Sequence, residues 1–299
     1  MKKYLLLPLM LAISACVPAS HPGVVTRAAM EPASTSSLPA MKRFTVHQSL
    51  PAPRSNNDLS LDFIELSFRM ESGKELPVFT RFEGPVTVRV IGAPPPTLGP
   101  DLTALLNRLR QEARIDISPT SGPNANITVE AVSRRTISKV LPQAACFVAP
   151  NVSSLDEYKK VRRTAQTNWS LLKTRSRVSI FIPNDASPQE VRDCLHEELA
   201  QAIGPLNDLY RLPDSVFNDD NVHTVLTGFD MLILRAYYAP ELRSGMSYNQ
   251  VAERLPALLS RLNPRGNSVA SGAISSTPRA WIQAVQTALG PGASYGQRQ

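Results

Sequence analysis

Aromatic residues are scarce, at 6% of the 299 positions, and the only tryptophans are Trp169 and Trp281. No cluster of Lys and Arg interleaves with aromatic side chains, so the pairing of positive charge with stacking platforms that marks a nucleic-acid surface is missing. Also absent are a Gly-rich phosphate loop and a Cys/His nucleophile pair, which argues against a nucleotide-cofactor enzyme and a cysteine hydrolase. Histidine occurs four times and cysteine three times. The formal charge of +7 is a mild basic excess. It suits anionic envelope polymers or lipid head groups, and ordinary solubility equally well.

What is present begins at the N-terminus. Lys2 and Lys3 precede an apolar run over 4–13, which is too short to span a bilayer as a stable helix, and Ile13-Ser14-Ala15-Cys16 follows. This is the order of a secretory signal peptide. The small residues before Cys16 resemble the bacterial lipobox, which implies a lipoprotein signal peptide over 1–15, acylation of Cys16 and attachment to a membrane through it. Val17 stands where an aspartate would retain a lipoprotein in the inner membrane, so the resemblance implies the outer membrane and a domain facing the periplasm. Pro18, Pro22, Pro32, Pro39, Pro51, Pro53 and the run Ser34-Thr35-Ser36-Ser37 read as a disordered tether over 16–57. A flexible tether of that length keeps the folded domain, 58–299, within about 35 Å of the membrane. With Cys16 lipidated, Cys146 and Cys194 form an even pair in an oxidising compartment, which reads as a disulfide; two buried thiols are the alternative.

Helix and strand signals interleave in the first part of the domain. Leu59, Phe63, Leu66 and Met70 recur at helical spacing over 58–70, and Leu102, Leu105, Leu106 and Leu109 do so over 98–113. The stretches 85–91, 126–132 and 177–182 read as strands. From Ser187 the signals turn helical. Ser187-Pro188-Gln189-Glu190 combines an N-cap, a first-turn proline and the glutamate of a capping box. Thr227-Gly228-Phe229-Asp230 and Ser247-Tyr248-Asn249-Gln250 repeat the device, and Thr277-Pro278 opens a last helix before Gly290-Pro291-Gly292. The predicted class is α+β, with a mixed sheet in the N-terminal part and a helical C-terminal part.

A helix over 191–204 places Leu195, Leu199 and Ala202 on one buried face. Glu198 falls inside that face, Glu197 and Gln201 lie one turn apart along its edge, and His196 points away. His196-Glu197 begins like the zinc-protease HExxH, but the fifth position is Ala200. One residue later, Glu197-Glu198-x-x-Gln201-x-x-Gly204-x-x-Asn207 resembles the metzincin pattern HExxHxxGxxH, with Glu, Gln and Asn in place of the three histidines. That pattern implies two ligands at i and i+4, a general base between them at Glu198, and a glycine turn that delivers the third ligand. Asp214-Ser215-Val216-Phe217 resembles the matrixin segment that carries the Met-turn, with Phe217 where methionine would stand. Residues 226–238 resemble the helix that follows it. The run CLHEELAQAIGPLNDLYRLPDSVFNDD, with Tyr238-Ala239-Pro240 and Gly245-Met246-Ser247, resembles the proteobacterial lipoprotein family of domain of unknown function 2927, which supports the lipoprotein reading and leaves the chemistry open.

Amide oxygens are weak neutral ligands, so a zinc peptidase with Glu197, Gln201 and Asn207 as ligands and Glu198 as base would bind its metal poorly. Calcium accepts carboxylate and amide oxygens, and Asp208, Asp214, Asp219 and Asp220 lie close in sequence. The reading adopted is a degenerate zincin-like domain without cofactor, a binding or scaffolding module for an envelope protein, a peptide or a peptidoglycan strand. In it Glu197, Glu198, Gln201 and Asn207 satisfy one another and pin the loop to Arg211, and Glu198 is raised in pKa by its apolar face. An unrelated α+β lipoprotein with chance spacing is the plainer alternative. His223 reads as a late ligand or as a surface residue.

Overall fold

A computed structural model describes residues 54–212, 214–218 and 225–272, and the backbone of 25–28. Cys16, Asp219, Asp220, His223 and the helix expected from Thr277 lie outside the described residues.

The elements follow the order β1 (Val25–Ala28), α1 (Asn56–Phe68), β2 (Val86–Gly92), α2 (Leu98–Glu112), β3 (Ile117–Pro119), β4 (Ile127–Val132), α3 (Arg134–Ser138), β5 (Ala144–Pro150), α4 (Leu155–Val161), β6 (Val178–Pro183), α5 (Pro188–Ile203), α6 (Gly228–Tyr237) and α7 (Tyr248–Leu262). The class is α+β, as the signals predict. The sheet runs β1-β5-β6-β4-β2-β3. Its parallel body, β3-β2-β4-β6, is flanked by β5, antiparallel to β6, and by β1, antiparallel to β5.

Two layers cover the sheet. α5 crosses β1, β5 and β6 on one face, and α1, α2, α6 and α7 extend that layer into the main core. The short α3 and α4 cover the other face, over a smaller core that includes Ile137, Phe147, Leu155, Tyr158 and Phe181. Every residue of β5 and of β6 is buried because both faces are covered. For the same reason β5 (AACFVAP) was illegible: a short apolar run without alternation fits a buried strand or a helix fragment equally. The Cys146–Cys194 disulfide joins β5 to α5, with Cα atoms 5.9 Å apart.

Three expectations need correction. The tether predicted over 16–57 overruns structured chain: Ser55 caps α1, accepting from the Asp58 N–H, Arg54 is buried, and β1 forms inside the segment. Its prolines flank Val25-Thr26, the β-prone start of a strand that an open sheet edge takes up. The capping box at Ser187 is half made, because Ser187 accepts the Glu190 N–H while the Glu190 side chain pairs with Arg134. At Thr227 and Ser247 both halves form. Finally, α5 is not amphipathic: every residue from Asp193 to Ile203 is buried. That part lies between a sheet and another helical layer, while the first turn and Arg192 still reach solvent.

Candidate functional site

Glu197, Glu198 and Gln201 sit on the second half of α5, with exposures of 6%, 0% and 0%. The helix stops at Gly204, whose N–H bonds to the Ala200 carbonyl. A Cβ there would lie 2.8 Å from Leu234 Cδ2 of α6 and 3.3 Å from the Ala200 oxygen, so glycine permits the close approach of α5 and α6. Pro205 then prevents continuation.

The last carbonyls of α5 are all accounted for. Arg175, buried in the loop before β6, donates to Gln201 O at 2.6 Å, Ala202 O at 2.9 Å and Gly204 O at 2.5 Å. The Tyr238 hydroxyl donates to Ile203 O at 2.9 Å. A cation at a helix C-terminus meets the negative end of the macrodipole as well as the orphan carbonyls. Burial pulls the Arg175 pKa below the ordinary arginine value, against the opposing pull of Tyr237 and Tyr238. The guanidinium also stacks on Trp169, 5.1 Å from the ring centre. Arg81 repeats the device on α6, donating to Tyr237 O and Ala239 O at 2.7 and 3.0 Å.

Beyond Gly204 the chain runs beside the end of α1. The Leu206 N–H donates to Leu66 O, the Asn207 amide to Glu65 O at 3.0 Å, and the Glu71 N–H to Leu206 O. Asn207, the third position of the motif, therefore caps the C-terminus of α1. Gln201 Nε2 donates to Glu71 Oε1 at 2.9 Å, and Gln201 Oε1 is buried with no hydrogen-bond partner among the described residues. The expected pinning to Arg211 is corrected too: Arg211 pairs with Asp62 and Glu65 of α1. Asp62 also takes Arg54, at 3.1 Å, yet burial raises its pKa against both cations. Asp208 is half-buried beside this segment.

The loop leading into α6 is organised by Asp230. Its carboxylate accepts from the Ser215 hydroxyl at 2.5 Å, the Val216 N–H at 3.2 Å and the Thr227 N–H at 2.7 Å. Burial, reinforced by Asp214, pushes its pKa up to about 7 against those donors. Phe217, which the resemblance expected in place of a Met-turn methionine, is fully buried, and its carbonyl accepts the Leu209 N–H. His196 faces the same segment from α5: its Nδ1 accepts the Leu226 N–H at 3.2 Å, so the neutral ring carries its proton on Nε2. Burial, with Arg108 and Arg192 nearby, drives its pKa down to about 3.

The donor set does not suit zinc. Two of the three ligand positions are amides whose N–H groups are committed to Glu71 and to the α1 backbone. Among the described residues no group of three or more His, Cys, Asp and Glu side chains is placed to hold a metal ion. The arrangement instead clamps irregular backbone between α1, α5 and α6. Sequence reasoning passed over Arg175, Glu71 and the structural roles of His196 and Asp230. Only the capping pattern at Thr227 signalled one of them. No curated protein and no solved structure matches this chain. The match that exists is to a family model over residues 56–257, from the first residue of α1 into α7 and about two thirds of the chain, and the chain accordingly belongs to the family described as Protein of unknown function (DUF2927).

Proposed function

We propose that this protein is a lipid-anchored component of the cell envelope, on the periplasmic face of the outer membrane, whose domain is a non-catalytic binding or scaffolding module with a degenerate zincin-like helix. The supporting observation is the burial of Glu198 at 0% exposure in the part of α5, Asp193 to Ile203, where every residue is buried. A general base has to reach water and substrate, whereas the neighbouring Gln201 and Asn207 are spent on Glu71 and on the end of α1. The family membership brings no activity with it.

A second reading, a metal-dependent peptidase with Glu197, Gln201 and Asn207 as ligands, draws on the buried Gln201 Oε1, which is the atom that would coordinate. Metal analysis of the detergent-solubilised full chain, purified without chelator beside Gln201→Ala, separates the two. Substoichiometric zinc and calcium in both proteins, with Gln201→Ala less stable, is the expected result. Stoichiometric metal that disappears in Gln201→Ala would replace the scaffold reading with the peptidase one.

A further inference from the structure

The positive charge of this chain is concentrated in one place. Residues 133–164 hold seven of the 32 basic side chains but only Asp156 and Glu157 of the 25 acidic ones, so the rest of the sequence is nearly balanced. This stretch forms α3, β5 and α4, and both helices lie on the sheet face opposite α5. Arg162 donates to Val140 O at 2.7 Å, which brings the end of α4 against the end of α3.

The nearby acids are already engaged. Glu190 pairs with Arg134, Asp156 with Lys159 and Glu157 with Arg177, while Asp185 accepts the Arg134 backbone N–H. Arg135, Lys139, Lys160 and Arg163 are exposed and make no ion pair among the described residues. Cations without internal partners, on short helices that do not use them for packing, are placed for an anionic partner.

β1 says where that partner is. Its antiparallel pairing sets Val25 against Val148 of β5, and the second face of β5 is covered by α3. Cys16 and Val25 are about nine residues apart, at most ~30 Å of extended chain. An anchor at Cys16 is therefore leashed close to the sheet edge beside the basic layer.

We propose that the exposed face of α3 and α4 is an electrostatic docking surface for anionic lipid head groups of the leaflet that holds the anchor. The orientation rests on the lipid anchor of the proposed function; the charge does not. Attraction to such a surface is worth roughly a fivefold gain in partitioning per basic residue and fades within a Debye length.

The test is co-sedimentation of the complete chain without its first 15 residues, carrying Cys16→Ser so that no acyl chain contributes, with two kinds of vesicle. The expected result is binding to phosphatidylethanolamine vesicles containing about a quarter phosphatidylglycerol, and not to phosphatidylcholine, with loss at about 0.5 M salt. Lys139→Glu/Lys160→Glu should lower partitioning more than tenfold. Arg243→Glu/Arg265→Glu, on the other side of the sheet, should leave it unchanged. Melting curves verify that both variants are folded. Equal binding to both vesicle types, indifference to the Lys139/Lys160 reversal, or capture only by peptidoglycan sacculi would each overturn the proposal. Palmitate labelling of Cys16 in cells reports the anchor separately: labelled protein that ignores anionic vesicles removes the docking surface, and unlabelled protein that binds them removes the anchor.

Discussion

The two faces of the sheet are packed by different chemistry. Beneath α3 and α4, Phe147, Tyr158 and Phe181 form an aromatic cluster with ring centres 4.6 to 5.9 Å apart, and the charges stay at the surface. On the α5 face the core is larger and also holds Arg54, Arg81, Arg175, Asp62, His196, Glu197, Glu198 and Asp230. The difference follows from the backbone each side must cover. α3 and α4 cover paired strands rather than buried helix ends, so apolar contact is enough. α5, α1 and α6 end inside the protein, next to the irregular backbone of 204–212 and 214–218, and each buried helix end leaves carbonyls that only a buried donor can satisfy. The metzincin-like spacing lies where this demand is greatest, and its side chains have become part of the solution.

Breaking the polar side should be the most damaging. Arg175→Ala strips donors from the carbonyls of Gln201, Ala202 and Gly204. It is expected to cost about 5 kcal/mol in urea unfolding, and Arg175→Lys should recover little because one ammonium cannot span all three. An Arg175→Ala loss within ~1 kcal/mol would erase the distinction between the faces. On the apolar side Phe181→Ala should cost about 4 kcal/mol by cavity formation, with no change in pH dependence.

The disulfide bridges the two regimes. Its removal in Cys146→Ser/Cys194→Ser should cost about 3 kcal/mol, read as a lower urea midpoint with activity of the reductant excluded.

The pH profile is a gentler probe, and the two titrating groups of the α5 face work against each other. Asp230 keeps its proton up to about pH 7 in the fold, while the unfolded carboxylate loses it near the ordinary aspartate value of 3.8. Its contribution to stability is full below that value and declines as pH rises to 7. His196 stays neutral down to about 3 while the unfolded ring protonates below 6.5, so its contribution is full above 6.5 and declines as pH falls. Asp230→Asn should therefore make stability climb more steeply with pH between about 4 and 6.5, and His196→Gln should flatten the climb. Parallel profiles for both variants and the parent would show that neither shift exists. Smallest is Gly204→Ala, about 1 to 2 kcal/mol, because the atom met first is the movable tip of Leu234.

Legibility tracked how local the cause was. The caps at Ser187, Thr227 and Ser247 were readable because the N-cap and the third residue of the helix lie within four positions. α2 was readable from its leucine stripe, and β4 and β6 from runs that coincide with the strands to within a residue or two. The candidate site was readable as a pattern and unreadable in its contacts. Gln201 meets Glu71, Asn207 meets the backbone of Glu65, and Arg175 reaches the end of α5 from before β6, across separations that periodicity does not carry. Arg175 lies between Lys173 and Arg177 in sequence, and nothing local distinguishes the buried one of the three.

By itself the sequence determined the α+β class, the starts of α5, α6 and α7 and the cysteine pair, since propensity, capping chemistry and count are properties of short segments. Tertiary structure decided that α5 is buried all round from Asp193 to Ile203, that the ligand-like amides serve as caps and braces, and that the basic side chains of α3 and α4 share one layer. Burial and helix-end satisfaction depend on which distant segment arrives alongside, and the packed sheet alone fixes that.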